Sequence, residues 1–182
     1  MGLFGGWVST YSMDKNFVSN DVIQLFPSEE SFDALASIIG CMDYGIAMAR
    51  TDGKFVIWNR KAYQILGKRQ ADVGHENWAA HYGFYNPDTK CIIATEDVPL
   101  VKAIKGKHVD KQEILVINEN MKDRIIVCDA DPIIHDGNIM GGVTVFWDIT
   151  KERQIELKMK DVLNKLEDLK NYQNKMLDSM SK

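Results

Sequence analysis

Hydrophobic and polar positions follow three different rhythms along the chain. From Pro27, in "PSEESFDALASIIGCMDYG", Phe32, Leu35, Ile38, Ile39 and Met42 recur at helical spacing and share one face. Ser28 suits the N-cap, while Glu29 and Glu30 suit the positive end of a helix. One amphipathic helix is predicted there. It follows an arm, residues 1–20, whose order the pattern leaves open.

From about residue 44 the period falls to two. "GIAMART" and "KFVIWN" flank Asp52-Gly53, two residues that tolerate positive φ, and this predicts a β-hairpin. "NRKAYQILG" places Ala62, Ile65 and Leu66 on one side and stops at Gly67, predicting a short helix. Lys68 to Asp97 has no regular period but carries Trp78, Tyr82, Phe84 and Tyr85. "EDVPLVKAIKG" predicts a second short helix, with Pro99 in its first turn and Gly106 at its end. "VDKQEILVIN", "DRIIVCDADPII" and "NIMGGVTVFWDI" are strands, joined into a meander by turns at Glu119-Asn120 and Asp136-Gly137. Two strands, short helices, then three strands describe an α+β domain with one antiparallel sheet.

The third rhythm begins after residue 150. Ile155, Met159, Val162, Leu166, Leu169, Gln173, Met176 and Met180 step by four and three in turn, the roughly 3.5-residue period of a coiled coil. Glu156 with Lys160 and Asp161 with Lys165 stand in the favourable i,i+4 order. The same stripe would also suit a helix folded back on the sheet. Charge does not decide, since Lys165 would approach Lys170 across a parallel pair. The rhythms divide the chain into 1–43, 44–150 and 151–182.

A length of 182 residues suits one domain with extensions. Hydrophobic content of 45% and charge of 26% are those of an ordinary globular protein. The net charge of −4 offers no basic footprint, which argues against nucleic acid as a partner. Cys41, Cys91 and Cys128 are too scattered for a disulfide framework or a zinc site, so reduced thiols in the cytoplasm are expected and no metal. The first residues lack a basic n-region and an apolar h-region, and Gly6 stands where a myristoylation motif has Ser or Thr. No apolar run approaches the roughly 20 residues of a membrane span.

The early motif "TDGKFVIWNRKAYQILG", the middle "HYGFYNPDTKCIIATEDVPLVKAIKGKHVD" and the late "GGVTVFWDITKERQ" resemble, in that order, a PAS domain. PAS domains are sensor modules of bacterial signalling proteins, and this variety is found upstream of histidine kinases and diguanylate cyclases. The resemblance covers about residues 43–155. It implies a five-stranded antiparallel sheet cupping a small cavity against short helices on one face. It also implies that Asp148 and Thr150 match the family's Asp-Ile-Thr junction, where the last strand hands over to a signalling helix. Either residue can cap that helix.

Strand alternation puts Gly142, Thr144 and Phe146 on one face of the last strand and Val143, Val145 and Trp147 on the other. Matching to the family turns the first set inward, joined by Ile126, Cys128 and Ala130. Trp78, Tyr82, Phe84 and Tyr85 are further pocket candidates, equally suited to plain core. The outward set is too apolar for open solvent and needs a cover, either the Phe32–Met42 helix or a second subunit. A homodimer through this face and the seam Ile155, Met159, Val162, Leu166, Leu169 and Met176 is expected.

Flavin-binding relatives place a reactive cysteine in an Asn-Cys-Arg-Phe setting, and "GHENWAAHYGF" stands in that region here, which argues against flavin. Haem-binding relatives commonly use a histidine on the second short helix. "EDVPLVKAIKG" has none, His108 falls just after it, and His75 or His81 would need an unusual haem pocket. "HENWAAH" is not a zinc-protease HExxH, because helical residues six apart lie about 240° round the axis. Asp129 and Asp131 face outward with no nucleophile, base and oxyanion set around them, so no catalytic residue is predicted. The expected function is a sensory and dimerisation module that relays ligand or partner binding through the junction to an effector. Alternatives are a ligand-free structural adaptor, a haem-based gas or redox sensor, and a small enzyme on a similar fold. The cavity discriminates: Gly142, Ala130, Cys128 and Thr144 are small enough to leave one, and Phe146 and Ile126 could fill it.

Overall fold

The computed structural model describes residues 37–70 and 72–180, with side chains as far as 176. The elements are β1 (Gly45–Arg50), β2 (Phe55–Trp58), α1 (Arg60–Leu66), α2 (Trp78–Tyr82), β3 (Phe84–Tyr85), α3 (Pro99–Ile104), β4 (Val109–Val116), β5 (Arg124–His135), β6 (Asn138–Asp148) and α4 (Thr150–Met180). The predicted arm and the start of the Phe32–Met42 helix lie outside the described residues. Its later part appears as helix at residues 37–41.

Local chemistry accounts for the early elements. Gly53, at φ 82°, turns the β1–β2 hairpin. Asn59 caps α1 with its side-chain oxygen, which accepts from Ala62 N at 2.8 Å and from Ile46 N at 2.9 Å. Its amide group donates to the carbonyls of Ile39 and Tyr44, so one buried side chain ties β1, α1 and the helix at 37–41 together. Gly67 ends α1 in the left-handed region.

All strands join one antiparallel sheet in the order β2-β1-β6-β5-β4-β3. That is six strands where five were expected. The extra one is β3, whose Phe84 and Tyr85 pair with Val116 and Leu115. Central β6 runs beside β5 from Asn138 to Asp148 and beside β1 from Gly141 to Phe146. Its burial alternates, with Gly142, Thr144 and Phe146 buried and Val143, Val145 and Trp147 only half-buried, as the period-two pattern requires.

The buried face packs against α1, α2 and α3 in one apolar core. On the opposite face Ile39 packs with Ile46, Val56, Ile57, Met48, Val143 and Val145, while Tyr44 meets Trp147 edge-on at 5.7 Å. The helix at 37–41 therefore contributes to covering the outer face. Beyond Arg153, every described side chain of α4 to residue 176 is exposed. A helix folded back on the sheet would bury the seam, yet Ile155 is 64% and Leu166 57% exposed. Within the chain, α4 projects.

Candidate functional site

Between the inner face of the sheet and the short helices lies a cavity of about 40 Å³. Of the predicted pocket residues it is lined by Trp78, Tyr82, Phe84, Ile126, Cys128, Thr144 and Phe146. Three others lie outside it. Gly142 is covered by α3, where an added Cβ would stand 2.7 Å from the Cβ of Ala103, so glycine there permits helix–sheet contact. Ala130 belongs to the neighbouring cluster with Ala103 and Val109. Tyr85 misses by strand parity: Phe84 points into the cavity wall and its neighbour points away.

The structure adds wall residues that the pattern did not disclose, chiefly Ala47, Phe55 and Trp58. Phe55 and Trp58 are three apart, which in a regular strand sets them on opposite faces. A register shift between Met48 and Ala49 lets them pair with Ala49 and Ala47 and share the inner face. Phe55 stacks on Trp78 at 4.6 Å, Trp58 on Tyr82 at 5.2 Å and Tyr82 on Phe84 at 5.6 Å. Of these, Phe55 alone is only half-buried.

The cavity is almost wholly apolar. Thr144 donates its hydroxyl to the Asp129 carbonyl at 2.9 Å. Burial, then the charge of Asp129, pushes the Cys128 thiol far up, so it stays protonated and is a packing group rather than a nucleophile. Trp78 donates to the Val73 carbonyl and Tyr82 to the Arg69 carbonyl. Trp58 Nε1 has no acceptor among the described residues. An unmet buried donor costs about 1–3 kcal/mol. The volume admits about one to three waters, against about 150 Å³ for an apolar cavity that takes benzene.

No histidine or charged side chain is among the residues lining the cavity. His81 packs edge-on against Tyr82, and burial, then Lys68, lowers its pKa. His108 bonds Asp131 at 2.6 Å outside the cavity, and that bond raises its pKa. His75 lies by Gly53 and Glu76. Among the described residues no three potential ligands could hold a metal, and no helix is long and apolar enough to cross a membrane.

The β6–α4 junction is a hydrogen-bonded knot. Asp148 Oδ1 accepts from Thr150 N at 2.9 Å and from the Thr150 hydroxyl, an Asx turn at the helix start. The Thr150 oxygen accepts from Ile125 N at 2.9 Å, so it anchors α4 to β5 rather than capping the helix. Ile149 N donates to the Ile125 carbonyl, and Arg124 lies 3.5 Å from Asp148. One turn on, Arg153 grips both carboxylate oxygens of Glu113 on β4 at 2.6 Å. The predicted seam residues Ile155, Met159, Val162, Leu166, Leu169 and Met176 are all exposed on α4.

One antiparallel sheet, short helices packed on one face and a C-terminal helix leaving its central strand are the arrangement that the resemblance to a PAS domain implies, with one strand added. Among solved structures, an RNA-binding light-oxygen-voltage receptor is similar, with TM-score 0.54 and 17% identity, over 77% of this chain and 39% of that one. The PAS domain of a Colwellia psychrerythraea protein gives TM-score 0.42 and 14% identity over 66% of this chain and 98% of its own. Transcriptional activator RocR of Bacillus subtilis (strain 168) is 28% identical over 127 residues, 68% of this chain and 25% of that protein. The chain thus matches a quarter of that curated relative. No family model matches.

Proposed function

We propose that this chain is the sensory and dimerisation module of a cytoplasmic signal-transduction protein, divided into an arm to residue 43, a sensor to 150 and a coupling helix beyond. It performs no catalysis and acts on a separate effector. The observation that carries the reading is the double duty of β6: Thr144 and Phe146 wall the cavity, and Asp148, two residues on, holds the first residue of α4. Ile126 in the wall likewise neighbours Ile125, which bonds Thr150. A ligand that binds one packing of the sheet better than another biases the angle of α4 through these bonds. The exposed seam then pairs two chains as a coiled coil, with the outer sheet face as a second contact.

The small volume favours a second reading, a ligand-free adaptor that pairs chains. Native mass spectrometry with an absorption spectrum on the purified chain separates them. A dimer carrying extra mass is the expected result, a bare dimer supports the adaptor, and a bare monomer refutes the dimerisation module.

A further inference from the structure

We infer that Gln173 sets how copies of α4 pair: two chains, parallel and in register, with Gln173 of one bonded to Gln173 of the second copy. The inference rests on the reading of α4 as a pairing helix. The step of four from Ile155 to Met159 makes Ile155, Val162, Leu169 and Met176 the d positions of a heptad, and Met159, Leu166, Gln173 and Met180 the a positions. The described side chains among them are exposed, and Gln173 alone of the eight is polar. It stands between Leu169 and Met176, within the stripe rather than at its end.

Parallel chains in register set each seam position against its own copy, so the two Gln173 amides meet and each donates to the other's oxygen. Antiparallel chains set a positions against d positions, which puts Gln173 against Ile155, Val162, Leu169 or Met176. A parallel pair one heptad out of step puts it against Leu166 or Met180. Each amide left unmet weakens such a pairing about five- to hundredfold. Charge does not overturn this: in the parallel register Lys151 faces Glu156 of the second copy and Lys165 faces Lys170, exposed pairs of opposite sign that nearly cancel. Leu166 at a with Ile155 and Val162 at d favours three or four strands, so the polar layer also holds the number at two. Area points the same way. The stripe from Ile155 to Met176 is about 32 Å long and about 10 Å wide, short of the roughly 800 Å² per partner of a stable interface. Parallel pairing keeps both sensor domains at one end of the coil, where the half-buried Val143, Val145 and Trp147 faces add to it.

The test uses the full chain with Cys41 and Cys91 replaced by serine, Cys128 being buried, and a spin label on Gln154→Cys at an exposed site early in α4. Native mass spectrometry counts the chains, and pulsed electron paramagnetic resonance measures the distance between labels. Two chains with labels within about 25 Å are expected, because parallel copies hold Gln154 at one height. Antiparallel copies with Gln173 against Ile155 set the labels about 30 Å apart along the axis, and with Gln173 against Val162 about 40 Å. Gln173→Leu should pair about tenfold more tightly yet lose its single arrangement, giving a second, longer distance or assemblies of three or four chains. If Q173L keeps two chains and one short distance, the role of Gln173 is refuted. A long distance in the chain that retains Gln173 refutes the parallel register. In both outcomes α4 still pairs chains. If the chain is monomeric with and without Q173L, the pairing helix itself falls.

Discussion

Replacing Thr150 by valine removes the tie between β5 and α4 while keeping the side chain's shape. The hydroxyl oxygen accepts from Ile125 N at 2.9 Å, and its proton goes to Asp148. In Thr150→Val the half-buried Ile125 N–H loses its acceptor, at a cost of about 1–1.5 kcal/mol. Asp148 keeps Thr150 N and Arg124, so it adds little. Tm should fall about 3–7 °C. Urea unfolding at fixed protein concentration measures the cost, since the proposed pairing would make stability concentration-dependent. Amide exchange should rise at Ile125 and in the first turn of α4, and stay unchanged in β1. Because Asp148 belongs to the same network, Asp148→Ala and Thr150→Val should combine non-additively, with a coupling of about 0.5–1 kcal/mol. A cost under about 0.3 kcal/mol, with exchange at Ile125 unchanged, would refute the knot.

Three further outcomes are expected. Iodoacetamide at pH 8 should label exposed Cys41 and Cys91 quickly and buried Cys128 only after unfolding, and peptide mass spectrometry that finds all three equally fast would contradict the packed wall. His108 has a folded pKa raised by Asp131, so its contribution is complete below 6.5 and disappears as pH climbs through the raised value; His108→Gln should flatten stability against pH in that window, and an unchanged slope excludes the pair. Leu166→Lys places charge in the proposed seam and should turn dimer into monomer by light scattering, whereas an unchanged mass would show that α4 does not pair chains.

Much of the fold is readable where the local pattern is strong. Asp52-Gly53, Gly67, Pro99 and Asp136-Gly137 mark turns and helix ends, and the last three strands appear within a residue or two of their predicted limits. α2 and β3 are not readable, because five helical residues are too few to show a period and two strand residues exist only through Val116 and Leu115. The cavity is half readable. Alternation on β5 and β6 selects Ile126, Cys128, Thr144 and Phe146, but also selects Gly142 and Ala130, since period two names a face and not the element that covers it. The bulge that turns Phe55 and Trp58 to the same side leaves no mark in the alternation. Arg153 and Glu113 are forty positions apart, and only the closed sheet brings them together.

The place of β6 in the sheet also governs the order of assembly. Gly45 pairs with Phe146, so during synthesis β1 waits with an open edge for a strand made late, while β5 gains β6 at once through the Asp136-Gly137 turn. Such distant pairings make folding slow, and the unfinished sheet is prone to wrong partners. The strand that closes both edges is joined to α4 by Ile149 alone. A nascent chain therefore presents α4 only after the strand that completes its sheet has been made, and one stalled before β6 has no α4 through which the proposed pairing could recruit a finished copy.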